Sequence, residues 1–300
     1  MTDPVIDVRG LVKRFGRFAA VDGLDLTVSG ASVHGFLGPN GAGKSTTIRV
    51  LLGLYRATAG HVRVLGLDPA AHAAEVTRRI SYVPGEVILW PNFTGQEVLD
   101  ALAGLRGRRD VAAERRLADD FALDTRKLVR TYSKGNRQKV VLVAAFAAPT
   151  DVLVLDEPTS GLDPLMEELF QREVRDAAAA GRTVLLSSHI LAEVEDLCDA
   201  VTIIKDGKLV ESGRLADMRH LAASTITARL PRERSVAVAQ QLRGLGVATE
   251  PDDGMVQLSV ARTLVPAVLG VLAETGAEDI TCTPAKLEDL FLRHYAVAAR

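Results

Sequence analysis

Hydrophobic positions at the start of the chain recur with the two-residue period of β-strands. Apolar and polar residues alternate over 5–8 and 24–28, which predicts two half-exposed antiparallel strands. A buried strand is predicted over 32–37, followed by a glycine-rich loop and a helix over 43–54. This first part of the chain therefore mixes strands and helices in the manner of an α/β fold. Three further predicted elements are a strand at 62–65, a helix at 70–79 and a strand at 80–83.

A helical region, at about residues 86–149, interrupts this alternation. Thr94 is predicted to cap its first helix, with Glu97 three residues on as the capping-box partner. A charged amphipathic helix is predicted over 109–123. Strands and helices then alternate again. The predicted elements are strands at 152–155 and 183–186, helices at 165–180 and 190–197, and a hairpin of 201–204 with 208–211 around Asp206-Gly207.

A second and smaller unit is predicted over residues 223–300, because the pattern changes once more after residue 222. Its composition of short strands and amphipathic helices is typical of an α+β domain. No catalytic motif is found in it. The predicted order is strand 225–230, helix 235–245, hairpin 247–259 around Asp253-Gly254, helix 264–275, strand 280–283 and helix 287–294.

Composition narrows the class of protein. Of the 300 residues, 47% are hydrophobic and 25% are charged, the balance of a globular chain with a sizeable core. The net charge is −2 and no basic stripe is present, so a nucleic-acid partner is not expected. The longest apolar run, 140–148, is far shorter than the ~18 residues that cross a bilayer. With no signal peptide at the N-terminus, we expect a cytoplasmic protein whose membrane role, if any, is peripheral.

A phosphate-binding loop is predicted where strand 32–37 ends. Its glycines allow successive backbone N–H groups to point at phosphate oxygens, and the helix that follows adds its positive N-terminal end. Lys44 is placed to contact the β- and γ-phosphates, and the Ser45 hydroxyl to bind Mg²⁺. The loop reads Gly38, Pro39, Asn40, Gly41, Ala42, Gly43, Lys44, Ser45 and Thr46.

Two adjacent carboxylates end the apolar strand 152–155. Next to a phosphate loop, the first acid of such a pair holds Mg²⁺, which assigns Asp156 to the metal. Glu157 is then placed to orient or deprotonate an attacking water. The pair and the loop together predict hydrolysis of a nucleoside triphosphate.

Other motifs occur in the order found in one family. Residues 132–138, Tyr-Ser-Lys-Gly-Asn-Arg-Gln, resemble the signature loop of ABC ATPases, whose usual form is Leu-Ser-Gly-Gly-Gln. Residues 160–163 resemble that family's D-loop, and His189 resembles its switch histidine. Phe15 fits the aromatic residue that stacks on adenine. Residues 1–222 are therefore identified as similar to the ABC transporter ATP-binding family.

This resemblance implies an architecture. The first 222 residues would form a P-loop NTPase domain of the ABC type, with an antiparallel β subdomain and a helical subdomain. Residues 223–300 resemble the accessory domain of drug- and antibiotic-export ABC ATPases. Glu157 and His189 would be catalytic, and ATP and Mg²⁺ would be the cofactors.

The resemblance also implies partners. Family members pair head to tail, so that Ser133, Gly135 and Asp163 of one copy would meet the ATP held by the other, most simply in a homodimer. A separate integral membrane permease would be driven by this cycle. The expected location is the cytoplasmic face of the cell membrane, and the expected function is efflux of a small molecule.

Two departures from the family pattern leave questions open. Lys134 and Asn136 stand where Gly and Gln are usual in the signature loop. After residues 81–84, where the family has a Gln that contacts water and metal, this chain has Gly85 and then Glu86, so Glu86 is a candidate replacement ligand for Mg²⁺. Two other functions stay open: an ABC ATPase acting on ribosomes or nucleic acid, and a nucleotide binder without turnover.

Overall fold

The computed structural model describes residues 4–221, 224–231, 234–248 and 254–283 of the chain. Contacts divide the chain into two compact units, Met1–Gly213 and Arg214–Arg300. The division lies between residues 213 and 214, which is earlier in the chain than the boundary expected at residue 222. The predicted helix at 287–294 and the predicted turn at Asp253 lie outside the described residues.

The described elements follow the predicted alternation of strands and helices. The strands are β1 (Ile6–Phe15), β2 (Phe18–Val28), β3 (Val33–Leu37), β4 (Ala59–Val64), β5 (Ile80–Val83), β6 (Val152–Asp156), β7 (Thr183–Ser188), β8 (Ala200–Lys205), β9 (Lys208–Arg214), β10 (Ser224–Arg229), β11 (Met255–Val260) and β12 (Glu278–Thr283). The α-helices are α1 (Lys44–Leu51), α2 (Ala73–Arg78), α3 (Gly95–Arg106), α4 (Val111–Asp120), α5 (Lys134–Ala147), α6 (Pro164–Ala179), α7 (Leu191–Leu197), α8 (Leu215–Leu221), α9 (Ser235–Gly244) and α10 (Val265–Glu274).

Strands β2, β1 and β4 form an antiparallel sheet in that order. The two predicted antiparallel strands are confirmed, but β1 and β2 are longer than predicted. Register shifts occur between Val8 and Leu11 and again between Lys13 and Arg14. Because each shift breaks the alternation of apolar and polar positions, the sequence pattern shows only the regular ends of these strands.

A six-stranded sheet, in the order β5-β6-β7-β3-β8-β9, lies at the centre of the first unit. The first five of these strands are parallel, and β9 follows β8 through the predicted Asp206-Gly207 turn, where both residues have positive φ. The register places Leu37 opposite Ser188, and Asp156 opposite Ser187. The carboxyl ends of β3, β6 and β7 therefore meet at one edge, where open α/β sheets bind ligands.

The helical insert contains α3, α4 and α5. Thr94 caps α3, and Glu97 completes the predicted capping box. A bidentate ion pair, with N–O distances of 2.9 and 3.0 Å, joins Arg116 of α4 to the buried Glu173 of α6. The ion pair holds the insert against α6, which packs on β7 and β3 of the central sheet.

The second unit has a three-stranded sheet in the order β11-β10-β12 among its described residues. Alternate residues of β11 are buried, and they pack with apolar residues of α9 and α10 into a separate core. Across the described part of the whole chain, no helix has the length and apolar character needed to cross a membrane.

Candidate functional site

A cleft of about 760 Å³ opens at the carboxyl edge of the central sheet. The loop after β3, the ends of β5 and β6 and the residue after β7 all contribute to its wall. The structure thereby brings together Lys44, Asp156, Glu157 and His189, which lie far apart in the sequence. Also lining the cleft are Pro39, Asn40, Gly41, Gly43, Ser45, Thr46 and Glu86.

Glycines shape the predicted phosphate-binding loop at the start of α1. Gly41 and Gly43 have φ values of +82° and +105°, a backbone conformation that side chains disfavour. A Cβ on Gly38 would lie 2.4 Å from the Ile204 carbonyl oxygen of β8, so only glycine fits there. Ala42 is buried behind the loop. The loop can therefore turn its backbone N–H groups into the cleft.

Lys44 holds the loop closed from inside. The residue is 5% exposed, and its Nζ donates to the carbonyl oxygens of Gly38 and Pro39 at 2.6 and 3.2 Å. The same Nζ lies 3.3 Å from Oε1 of Glu157. A buried ammonium beside a helix N-terminus makes this part of the cleft a strong site for an anion.

Glu157 has an unusual backbone. Its φ is +51°, in the left-handed region that few non-glycine residues adopt and that clusters at functional sites. Its N–H donates to the Ser187 carbonyl oxygen at 3.0 Å, which ties the end of β6 to β7. Its Oε2 forms a short hydrogen bond with Nδ1 of His189. One carboxylate thus contacts both Lys44 and His189.

Asp156 offers an oxygen suited to a metal ion. Its side chain is 3% exposed, and its Oδ1 is buried with no hydrogen-bond partner in the described part of the chain. No group of three or more His, Cys, Asp or Glu residues that could hold a metal occurs among the described residues. Mg²⁺ is usually bound by one or two carboxylates together with substrate phosphates, so Asp156 and Ser45 fit it.

The segment after β5 passes close to the end of β6. A Cβ on Gly85 would lie 3.2 Å from the Asp156 carbonyl oxygen, which is tighter than ordinary packing. Glu86, the next residue, is exposed and lines the cleft. Glu86 is thus the first residue after β5 whose side chain carries an oxygen ligand for a metal.

The three nucleotide contacts predicted in the signature loop and the D-loop do not line this cleft. Ser133 caps α5 and accepts a hydrogen bond from the Asn136 N–H at 3.2 Å. Gly135 is pressed against the Gly161 carbonyl oxygen, 2.7 Å from where a Cβ would be. Asp163 caps α6, and the structure leaves all three outside the cleft of their own chain.

Phe15 also lies outside the cleft lining, where its ring packs edge to face on Tyr55 at 5.4 Å between centroids. Phe18 lines the cleft instead and is not among the predicted residues. Phe15 and Phe18 are directly opposite each other in the register of the β1–β2 hairpin. The Phe-Gly-Arg-Phe sequence is a signal that could have identified Phe18 as well. Tyr82 is a further lining residue that the motifs do not show, and burial raises its pKa to about 12.

Comparison with known proteins identifies relatives of this chain. The family described as ABC transporter matches residues 21–160. The daunorubicin/doxorubicin resistance ATP-binding protein DrrA of Streptomyces peucetius is 39% identical over 264 residues, which cover 85% of this chain and 79% of that protein. The Nod factor export ATP-binding protein I of Ralstonia nicotianae is 32% identical and covers 97% of this chain and 93% of its own length.

Solved structures agree with these relatives. A structure described as the ATP binding subunit of an ABC transporter superposes with a TM-score of 0.68 at 30% identity, covering 72% of this chain and 92% of that chain. An ATP-bound bacterial exporter of the Atm1 family shares the fold, with a TM-score of 0.64 at 24% identity over 73% of this chain and 40% of that one. The predicted fold class and the family resemblance are therefore confirmed.

Proposed function

This chain belongs to the family of ABC transporter ATP-binding subunits, and from that premise we propose that it powers export of a small drug-like molecule through a separate membrane permease. As a member of the family it binds ATP and is an ATPase. Its relatives include proteins named for daunorubicin/doxorubicin resistance and for Nod factor export. These names support an exported cargo of the same general kind.

The convergence of Lys44, Glu157 and His189 in one cleft carries the proposal of turnover. Lys44 would hold the β- and γ-phosphates, and Glu157 would act as the general base for water. His189, which is hydrogen-bonded to Glu157, would stabilise negative charge on the γ-phosphate. A protein that only senses nucleotide needs no base beside the phosphate site, so this arrangement favours catalysis over binding alone.

Mg²⁺ would be held by Asp156 and Ser45, with Glu86 as a third ligand. When bound with ATP, the ion neutralises part of the charge on the phosphate oxygens. The unpartnered Oδ1 of Asp156 supports this assignment. Backbone N–H groups of 40–46 would surround the phosphates. Phe15, which is exposed and lies opposite the cleft residue Phe18 in the β1–β2 register, would stack on the adenine ring beyond the cleft.

A second copy of the chain would complete each nucleotide site. Ser133, Gly135 and Asp163 do not line the cleft of their own chain, although the family pairs them with ATP. ABC ATP-binding subunits dimerise and work with permease components. We infer a homodimer in which these residues approach the partner's ATP, with α5 directing its N-terminal N–H groups at the γ-phosphate.

Replacing Glu86 with Ala is expected to lower kcat at least ~10-fold, equivalent to about 1.4 kcal/mol of transition-state stabilisation. The physical reason is that loss of a hard oxygen ligand weakens binding of the Mg²⁺ ion, whose charge offsets that of the phosphates. The Mg²⁺ concentration for half-maximal activity should rise, and Glu86→Gln should be affected less than Glu86→Ala. ATPase activity and ATP affinity are both measured across a Mg²⁺ titration.

The control for this prediction is Glu168→Ala, which removes an exposed carboxylate of α6 that does not line the cleft. Glu86→Ala, which removes a negative charge near the phosphates, should also bind ATP more tightly than the wild type when no metal is present. If Glu86→Ala matches the wild type at every Mg²⁺ level, Glu86 is not a ligand, and Asp156 and Ser45 remain the proposed side chains.

Membrane association is expected to depend on the permease. The chain is expressed alone and together with a candidate multi-span permease, and membranes are separated by centrifugation. We expect sedimentation with membranes only in the second case, and release of the chain by alkaline washing that leaves the permease behind. Sedimentation with ribosomes, or co-purification with nucleic acid, would favour the alternative of an ABC ATPase that acts there.

A further inference from the structure

A buried carboxylate behind the cleft belongs to none of the motifs described above. Glu193 lies in α7, four residues after His189, and is only 9% exposed. Burying a carboxyl group costs free energy unless hydrogen bonds replace its water. Its partners therefore indicate what the group does.

Glu193 contacts the loop that carries His189. Ser188 Oγ donates to Glu193 Oε2 at 2.6 Å. The same Ser188 oxygen accepts the Ile190 N–H at 3.0 Å. Residues 188 and 190 are thus joined through one hydroxyl, with His189 between them, and Glu193 fixes where that hydroxyl lies.

Burial and hydrogen bonding act on Glu193 in opposite directions. Burial raises the pKa of Glu193, while the hydrogen bond from Ser188 lowers it in part. The Ser188 bond is thus the contact through which a side chain of α7 fixes the segment that carries His189.

We propose that Glu193 is a positioning residue that holds the His189 loop in place for ATP hydrolysis. It does not line the cleft, so its effect passes through His189. This inference rests on the proposed role of His189. Misplacing a catalytic group by about 1 Å can cost up to ~100-fold in rate.

The test is a cycle of variants in the full chain, read by single-turnover ATP hydrolysis and by ATP affinity. Glu193→Ala is expected to slow hydrolysis about 10-fold, with ATP affinity within about 2-fold of the wild type. Glu193→Gln keeps an acceptor oxygen for the Ser188 hydroxyl and should stay within about 3-fold of the wild-type rate. Ser188→Ala removes only one hydroxyl group and should slow hydrolysis to about the same extent as Glu193→Ala.

The deciding measurement is Glu193→Ala in a His189→Ala background. If Glu193 acts through His189, the second substitution slows hydrolysis no further. An additional 10-fold loss there, or an unchanged rate for Glu193→Ala alone, overturns the inference. Glu168→Ala serves as the exposed-carboxylate control and should match the wild type.

This design also separates the inference from the function on which it rests. If His189→Ala slows hydrolysis while Glu193→Ala does not, the proposed role of His189 stands and that of Glu193 is wrong. If His189→Ala hydrolyses ATP at the wild-type rate, the role of His189 is wrong, and the positioning role of Glu193 is overturned with it.

Discussion

Replacing Lys44 with Ala is expected to abolish ATP binding and hydrolysis together, with at least about a 100-fold loss of ATP affinity. The buried Nζ is the cation of the proposed phosphate loop and lies 3.3 Å from Oε1 of Glu157. Without it, a triphosphate would meet the Glu157 carboxylate in a cleft with no ammonium to offset the repulsion. A charge-assisted hydrogen bond to phosphate is also lost, and such bonds are stronger than neutral ones.

The measurement is equilibrium binding of ATP together with steady-state ATPase activity. Lys208→Ala is the matched control, because Lys208 is exposed and pairs with Asp22 on the surface. Circular dichroism and the melting temperature should show that Lys44→Ala remains folded. Wild-type turnover by Lys44→Ala would exclude the phosphate-loop assignment.

Local chemistry explains why much of this site is predictable from sequence. The segment 38–46 carries its function in contiguous residues, and its conformation depends mainly on Gly41 and Gly43. Asp156 and Glu157 are predictable because they end a continuous apolar strand, and parallel strands bring their carboxyl ends to one edge. The capping box at Thr94 is predictable for the same reason, since all its atoms lie within four residues.

Features that depend on tertiary contacts are not predictable in this way. Phe18 rather than Phe15 lines the cleft, because the hairpin places its two aromatic partners in different surroundings. Glu193 gives no signal, since its burial in the folded chain, which gives weight to its bond with Ser188, is not visible in the sequence. The left-handed backbone of Glu157 depends on its bond to β7, which no local pattern contains.

Exchanging Glu157 for Gln is expected to preserve ATP binding while lowering kcat about 100- to 1,000-fold. Gln keeps the size and the hydrogen-bonding oxygen of the side chain, but it cannot accept the proton of an attacking water. Removing one negative charge beside Lys44 and the phosphates should leave ATP affinity equal or stronger. The ATP-bound state should therefore accumulate.

Accumulation of that state is what makes the variant informative about assembly. If ATP joins two copies through the signature loop that contains Ser133, Glu157→Gln should elute as a dimer with ATP and as a monomer without it. Adding Ser133→Arg, which places a bulky group at the N-cap of α5, should return the protein to a monomer while its own cleft stays intact. Glu168→Gln is the charge-matched control and should turn over normally. A monomeric Glu157→Gln with normal ATPase activity would refute both the base and the ATP-bridged pair, because the two proposals require the same trapped complex.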